Sequence, residues 1–387
     1  MTLDAFRDQF RLPPGRVYLD HAATGVLSRA ALEAASDYLR GRSGALEGRS
    51  PNNFPADLER IDRARARAAA LVNADLEDVA VVPNTSYGLN LVAQGLDWQP
   101  GDRVAVPACE FPSNLLPWRA LRDRGVEIDL VPHRNGAFAV SDVRAALRPE
   151  TRVLAVSAVQ FLSGFRADLD ALGHLCRSRG VLFVVDAIQA VGALEVDVET
   201  FAPDLLAVGG HKWLGSMQGA GFAYVAPTLR DRLRPLRGWL NGPVDWDDFE
   251  ASTVGPAGLD LHPDATRFHV GTMPTAALYA LDAALGLHLE VGPSEIERAV
   301  LEGAARLSQG LARLGFERVG EGVRSGIVTV RADDPEGLHA ALTAAGVSAS
   351  VRSRLVRFAP HASTPLDDLE VALEAVASFQ RAAVTIS

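Results

Sequence analysis

The sequence predicts an α/β protein with a large, mainly parallel sheet and a smaller α+β unit. Three observations predict it. Seven short apolar runs alternate with helical spacing, the pattern changes after Pro274 to long helical segments, and 387 residues suffice for two units with a sizeable core. Strands are expected at 79–83, 102–107, 126–131, 152–159, 181–185, 205–208 and 222–225. Helical spacing marks 169–179, and also 114–124 with Pro117 in its first turn. Beyond Pro274, helices at 275–290 and 294–314 lead to a strand at 326–331. A helix at 335–345, a strand at 351–358 and a terminal helix from Pro365 follow. The expected division is a large unit over 17–285 and a small one over 1–16 plus 286–387. The Arg/Ala-rich stretch 60–70 reads as a solvated helix face, and the Gly/Pro/Asn-rich stretch 43–55 as a loop.

Composition removes several function classes. Apolar residues make up 48% and charged residues 22%, the balance of a globular protein. A formal charge of −10 offers no broad basic surface, which argues against nucleic acid as a partner. Two cysteines cannot staple so long a chain and fit a reducing compartment. The opening MTLDAFRDQF has no apolar signal-like core, and the most apolar stretch, 181–196, is interrupted by Asp186 and Gln189. The expectation is a cytoplasmic protein that neither spans nor binds a membrane.

One count stands out: of 38 basic residues, 37 are arginine and one, Lys212, is lysine. Arginine takes over most surface duties of lysine, but its guanidinium cannot condense with an aldehyde. A lysine kept in such a chain is a candidate for amine chemistry, against the alternative of chance. Lys212 lies in GGHKWLG after the strand-like LLAV, where open α/β sheets keep their sites. Burial there would lower its pKa and make it nucleophilic.

The surrounding residues complete a set that suits pyridoxal 5′-phosphate (PLP) bound to Lys212 as a Schiff base. Asp186, at the end of the apolar VLFVVD, can keep the pyridine nitrogen protonated, although capping the next helix is the plainer role. Gln189, three residues on, can donate to the phenolic oxygen. Thr85 and Ser86 in PNTSYG offer hydroxyls and N–H groups at a helix start, a phosphate cup or simple caps, and His211 can add a contact. Phe111 in ACEFPSN can stack on the ring or belong to the core. Arg357 in RLVRFAPH can clamp a carboxylate or form a surface ion pair.

Together these motifs resemble the class V aminotransferase family of fold-type I PLP enzymes, in the branch of group II cysteine desulfurases, selenocysteine lyases and isopenicillin N epimerase-like proteins. The resemblance runs from YLDHAATG at Tyr18 to the terminal helix and is carried above all by VVDAIQAVG and GGHKWLG. It implies Lys212 as the Schiff-base lysine and Asp186 as the pyridine partner. It further implies Gln189, Thr85, Ser86 and His211 as cofactor contacts, and Arg357 as the substrate clamp. Thr272, in RFHVGTMPT, resembles a residue that reaches the phosphate of a partner subunit, implying a homodimer with shared sites. Three departures stand out. Phe111 and Pro112 replace a histidine pair, Gly209 replaces a serine, and Phe161 stands where an asparagine is common, with Gln160 as its substitute. The largest departure is the 352–357 segment between arginines, with Arg352 at its start. It has no cysteine to accept sulfur and no room for the loop that would carry one.

The expected function is therefore a PLP enzyme acting on an amino acid at Cα and Cβ. β-Elimination of the C–S lyase type comes first, with class V transamination or epimerisation as alternatives. His21 and Trp239 are candidates to read the substrate side chain. A non-catalytic PLP-binding module is the competing class, and the absence of GxGxxG and GxxxxGK[ST] after the first strands argues against a nucleotide binder.

Overall fold

The computed structural model describes residues 1–386 except 45–53, 246, 249, 251–259 and 321–323, so most of the expected 43–55 loop lies outside the described residues. A two-residue strand, β1 (Val17–Tyr18), precedes the main sheet. The sheet comprises β2 (Val79–Val82), β3 (Arg103–Pro107), β4 (Glu127–Val131), β5 (Thr151–Ser157), β6 (Leu182–Asp186), β7 (Leu205–Gly209) and β8 (Gly221–Val225). Its order is β2-β8-β7-β6-β5-β3-β4. The central ladders β7–β6–β5–β3–β4 are parallel, and β8 alone runs against its neighbours. All seven expected strands are present. β5 to β8 are almost continuously apolar and buried, as strands covered by helices on both faces must be.

The helix Leu169–Arg179 has the predicted bounds, capped by Asp168 and closed by Gly180 in the left-handed region. The segment expected as one helix at 114–124 is instead a chain of short turns, Leu116–Arg119 followed by the 3₁₀ segment Ala120–Arg124. The stretch at 60–70 also departs from expectation. It lies in Phe54–Val72, but Arg65 is buried, and Arg60, Arg63 and Arg67 converge on Asp282, whose side chain is fully buried in the helix Thr275–Val291. A carboxylate with no access to water needs such partners, so these arginines anchor one helix to the other.

The C-terminal unit comprises β9 (Val328–Arg331), β10 (Val347–Ser348), β11 (Ser350–Arg352) and β12 (Leu355–Phe358), with the helices Pro293–Arg313, Pro335–Ala344 and Leu366–Ile386. The strand expected over 351–358 is a hairpin, β11–β12, turned by Ser353 and Arg354 at φ of 50° and 62°. Paired left-handed residues are the geometry of a two-residue hairpin loop. The boundary between the units also departs from expectation. Phe6 and Phe10 lie in the large sheet's core, whereas Val17 and Leu19 join the C-terminal unit's core and β1 pairs with β10.

His269, just before Thr272, accepts a hydrogen bond from the Val81 amide through Nε2 at 3.1 Å, and burial pulls its pKa down to about 3. The unfolded chain, at an ordinary 6.5, takes the proton first, so folding stability is lost as pH falls below that value. His269→Gln keeps an acceptor for Val81 without the titration. At pH 5 the variant is expected to gain about 2 kcal/mol on the parent relative to neutral pH, read as a difference in urea midpoints at the two pH values. Parallel pH curves for the two proteins would refute it.

Candidate active site

The expected site residues converge at the C-terminal ends of the parallel strands. Asp186 is the last residue of β6, and its Cα pairs with Ser157, the last of β5. Lys212 follows β7, and Thr85 opens the helix Thr85–Gly95 after β2. Asn84 caps that helix by accepting from the Tyr87 amide at 2.9 Å. Phe111 follows β3, and its ring centre lies 5.6 Å from Lys212 Nζ.

Burial tunes the central pair. It pulls the Lys212 amine down to about 8, against the opposing attraction of Asp186. It also pushes Asp186 up to about 6, although the Ile188 amide donates to its Oδ1 at 3.0 Å and Lys212 favours its charge. A lysine near 8 is partly neutral and so nucleophilic. A buried carboxylate short of partners is suited to hold a cation.

The backbone around Lys212 is tightly fixed. Gly25 sits so close that a Cβ there would lie 1.9 Å from the Lys212 carbonyl oxygen, leaving space only for glycine. The next residue, Trp213, donates its indole N–H to Gln189 Oε1 at 2.8 Å. Gln189 in turn donates through Nε2 to the Ala22 carbonyl at 3.0 Å. Gln189 is therefore largely committed to holding this loop, with one amide N–H left for a ligand. The Trp213 carbonyl is approached by Nε2 of His361 at 2.9 Å and of His288 at 3.2 Å.

The remaining expected residues divide. Ser86 donates to Ser113 Oγ at 2.9 Å, tying the cup to the Phe111 loop. Burial lowers the pKa of the half-buried His211, keeping it neutral beside Lys212. Arg357, in β12, is buried and already donates to the Phe161 carbonyl at 2.8 Å, Asp20 Oδ1 at 3.2 Å and Ser350 Oγ at 3.3 Å. Part of the expected clamp thus serves the protein itself. Arg352 is exposed and bonds the Val351 carbonyl, so the structure does not bring it to Lys212. His21, a candidate to read the substrate, is buried: its ring stacks on His361 at 4.8 Å, and burial lowers its pKa to about 4. Trp239 lies against Phe54. Thr272 is exposed and lines a cavity of about 150 Å³ with Val81, Pro83 and Tyr87.

Sequence reasoning passed over Glu110. Its buried carboxylate accepts from the Ser157 amide and from Gln160 Nε2, both at 2.7 Å, and meets the Ser157 hydroxyl. Burial and the neighbouring Asp186 push its pKa up to about 7. Its only sequence signal is an acid directly beside Phe111, the proposed stacking residue.

The site fits PLP on its own terms. His21 Nε2, Thr85 Oγ1, Gln160 Oε1 and Arg357 Nε are buried without a hydrogen-bond partner among the described residues, a costly state unless a polar ligand fills it. Thr85 opens the helix after β2, Gln160 bonds Glu110 within electrostatic reach of Asp186, and Arg357 lies within electrostatic reach of Lys212.

The class V aminotransferase model matches residues 17–353. The chain belongs to the class V aminotransferase family. It is thus a PLP-dependent enzyme of that family. A probable cysteine desulfurase of Methanothermobacter thermautotrophicus is 30% identical over 300 residues, 77% of this chain and 73% of that protein. The uncharacterised aminotransferase YcbU of Bacillus subtilis is 27% identical, covering 84% of this chain and 85% of its own. A solved structure of the cystine C–S lyase C-DES with its product cysteine persulfide superposes with a TM-score of 0.86 at 23% identity, covering 95% of this chain and 98% of that one. No helix among the described residues is long and apolar enough to cross a membrane.

Proposed function

We propose that this family member catalyses β-elimination from a cysteine-like or other β-substituted amino acid, a C–S lyase type of reaction that forms no persulfide on the protein. The tight Ser353–Arg354 turn beside Arg357 carries this reading, because it replaces any loop that could bring a cysteine to the substrate. Neither remaining thiol is suited to the task. Burial pushes Cys109 and Cys176 up to about 12, so both stay protonated.

When bound, PLP supplies an electron sink for negative charge developing on the substrate α-carbon. In this reading Asp186 holds the proton on the ring nitrogen, and Phe111 covers the ring. Thr85, Ser86 and the helix N-terminus hold the phosphate. Arg357 binds the substrate carboxylate through its unpartnered edge, and Lys212 Nζ takes the α-proton. Transamination is the second reading, supported by the likeness to YcbU over most of both chains. The exposed Thr272, remote from any described contact with Lys212, suits a homodimer in which each copy completes its neighbour's site. The two free cysteines suit a cytoplasmic setting.

A panel of amino acids assayed for pyruvate, ammonia, sulfide and keto acids separates the reactions. Elimination is expected to release pyruvate and ammonia in equal amounts with no amino acceptor present. Keto acid formed only when an acceptor is added, without ammonia, would establish transamination instead.

A further inference from the structure

The Glu110–Gln160 contact fixes which end of an amide faces the site. Glu110 Oε1 already accepts from the Ser157 amide, so any proton on the carboxyl sits on Oε2 toward the Ser157 hydroxyl, and the end of Gln160 that meets Oε1 at 2.7 Å is the nitrogen. The amide oxygen consequently points away from Glu110, where it is buried and has no partner among the described residues. Glu110 is itself held by the Ser157 amide and hydroxyl, and Ser157 pairs with Asp186. Gln160 adjoins Phe161, whose ring meets Phe111 edge-on at 5.1 Å, and Phe111 lies over Lys212. The orphaned oxygen thus belongs to the wall that carries the stacking ring.

We propose that Glu110 is a positioning residue that locks Gln160 with its amide oxygen toward the cofactor, so that this position accepts a hydrogen bond from the bound molecule rather than donating one. The sequence reading of Gln160 as a replacement for an asparagine left both ends of the amide available. The Glu110 contact selects one. The ligand group favoured there is an N–H or O–H, and a bare anionic oxygen is disfavoured because two acceptors would face each other in a buried site.

The inference rests on Lys212 marking the cofactor site, and a double-mutant cycle on the full chain tests the two separately. Glu110→Gln is isosteric, but its neutral amide no longer dictates which end of Gln160 faces it. Gln160→Leu removes the acceptor. PLP is titrated into the apoprotein, and two quantities are read: its dissociation constant, and the pH midpoint of the visible absorbance of the bound cofactor. Glu110→Gln is expected to weaken PLP about tenfold and to move the midpoint, as loss of a charge-assisted hydrogen-bond network would. In the Gln160→Leu background the same change is expected to add less than about twofold. Equal effects in both backgrounds would overturn the proposal, as would a midpoint that does not move. A parent protein that gains no visible absorbance with PLP would instead overturn the cofactor site. If Glu110→Gln does not fold, as judged by thermal unfolding of the apoprotein, Glu110→Asp serves in the same cycle. It keeps the charge but withdraws its reach by one methylene.

Discussion

Lys212→Ala is expected to yield a folded protein that binds PLP without a covalent link and turns over at least about 10³-fold more slowly. The size follows from losing a nucleophilic attachment point and a general base at once, each able to contribute 10²–10⁴-fold by about the same order. Borohydride treatment followed by peptide mapping checks the link. The parent should carry the cofactor on the peptide containing Lys212, and the variant should carry none. Lys212→Arg is the sharper control, because arginine already fills the other 37 basic positions and preserves the charge. A guanidinium that stays protonated cannot attach or deprotonate, so this variant should be as inactive as the alanine one. Activity retained in Lys212→Arg would remove the lysine from the chemistry. Folding should survive both changes, because what fixes this loop is the Trp213 carbonyl, the indole and the close approach of Gly25, none of which involves the lysine side chain.

Asp186→Asn is expected to lower turnover by about 10²–10³-fold, the range for removing one preorganised electrostatic contact from a buried site. The carboxylate lies at the end of β6, and apart from the Ile188 amide nothing described donates to it. Its worth therefore lies in a cation placed opposite it. The pH dependence gives an independent measurement. Because burial raises Asp186 to about 6 in the unliganded chain, protonation below that pH removes the negative charge. PLP affinity is then expected to fall by up to about tenfold per pH unit below pH 6 in the parent, and to stay flat over that range in Asp186→Asn. A variant with the parent's slope would show that another group, with Glu110 the nearest candidate, governs the titration.

Much of this was legible in the sequence, for physical reasons that differ between elements. The strands of the main sheet are buried on both faces, so they read as unbroken apolar runs, and the residues that end them, such as Asp186, stand out as the first polar interruption. The helix Leu169–Arg179 carried both its caps, Asp168 and Gly180. The β11–β12 hairpin did not announce itself. Neither Ser353 nor Arg354 is among the residue types that favour the left-handed region, and they take those backbone angles because the pairing of their strands requires it. The burial of His21 and the exposure of Arg352 were not legible for a different reason: local sequence gives no sign of which face packs inward. Glu110 was missed because its partners, Ser157 and Gln160, lie 47 and 50 residues away. Hydrogen bonds of that separation leave no periodic trace.

The pairing of the two ends of the chain has a consequence for the order in which the molecule is made. Asp20 receives Arg357 across 337 positions, Leu19 takes a backbone bond from Ala359, and β1 finds its only described strand partner in β10. During synthesis the main sheet is complete by Val225, with Asp186 at the end of its strand, while Arg357 and the two histidines that hold the Trp213 carbonyl, His288 and His361, are still unmade. A chain cut short before residue 357 would lack both Arg357 and His361, and with His361 one of the contacts that hold the Trp213 carbonyl beside Lys212.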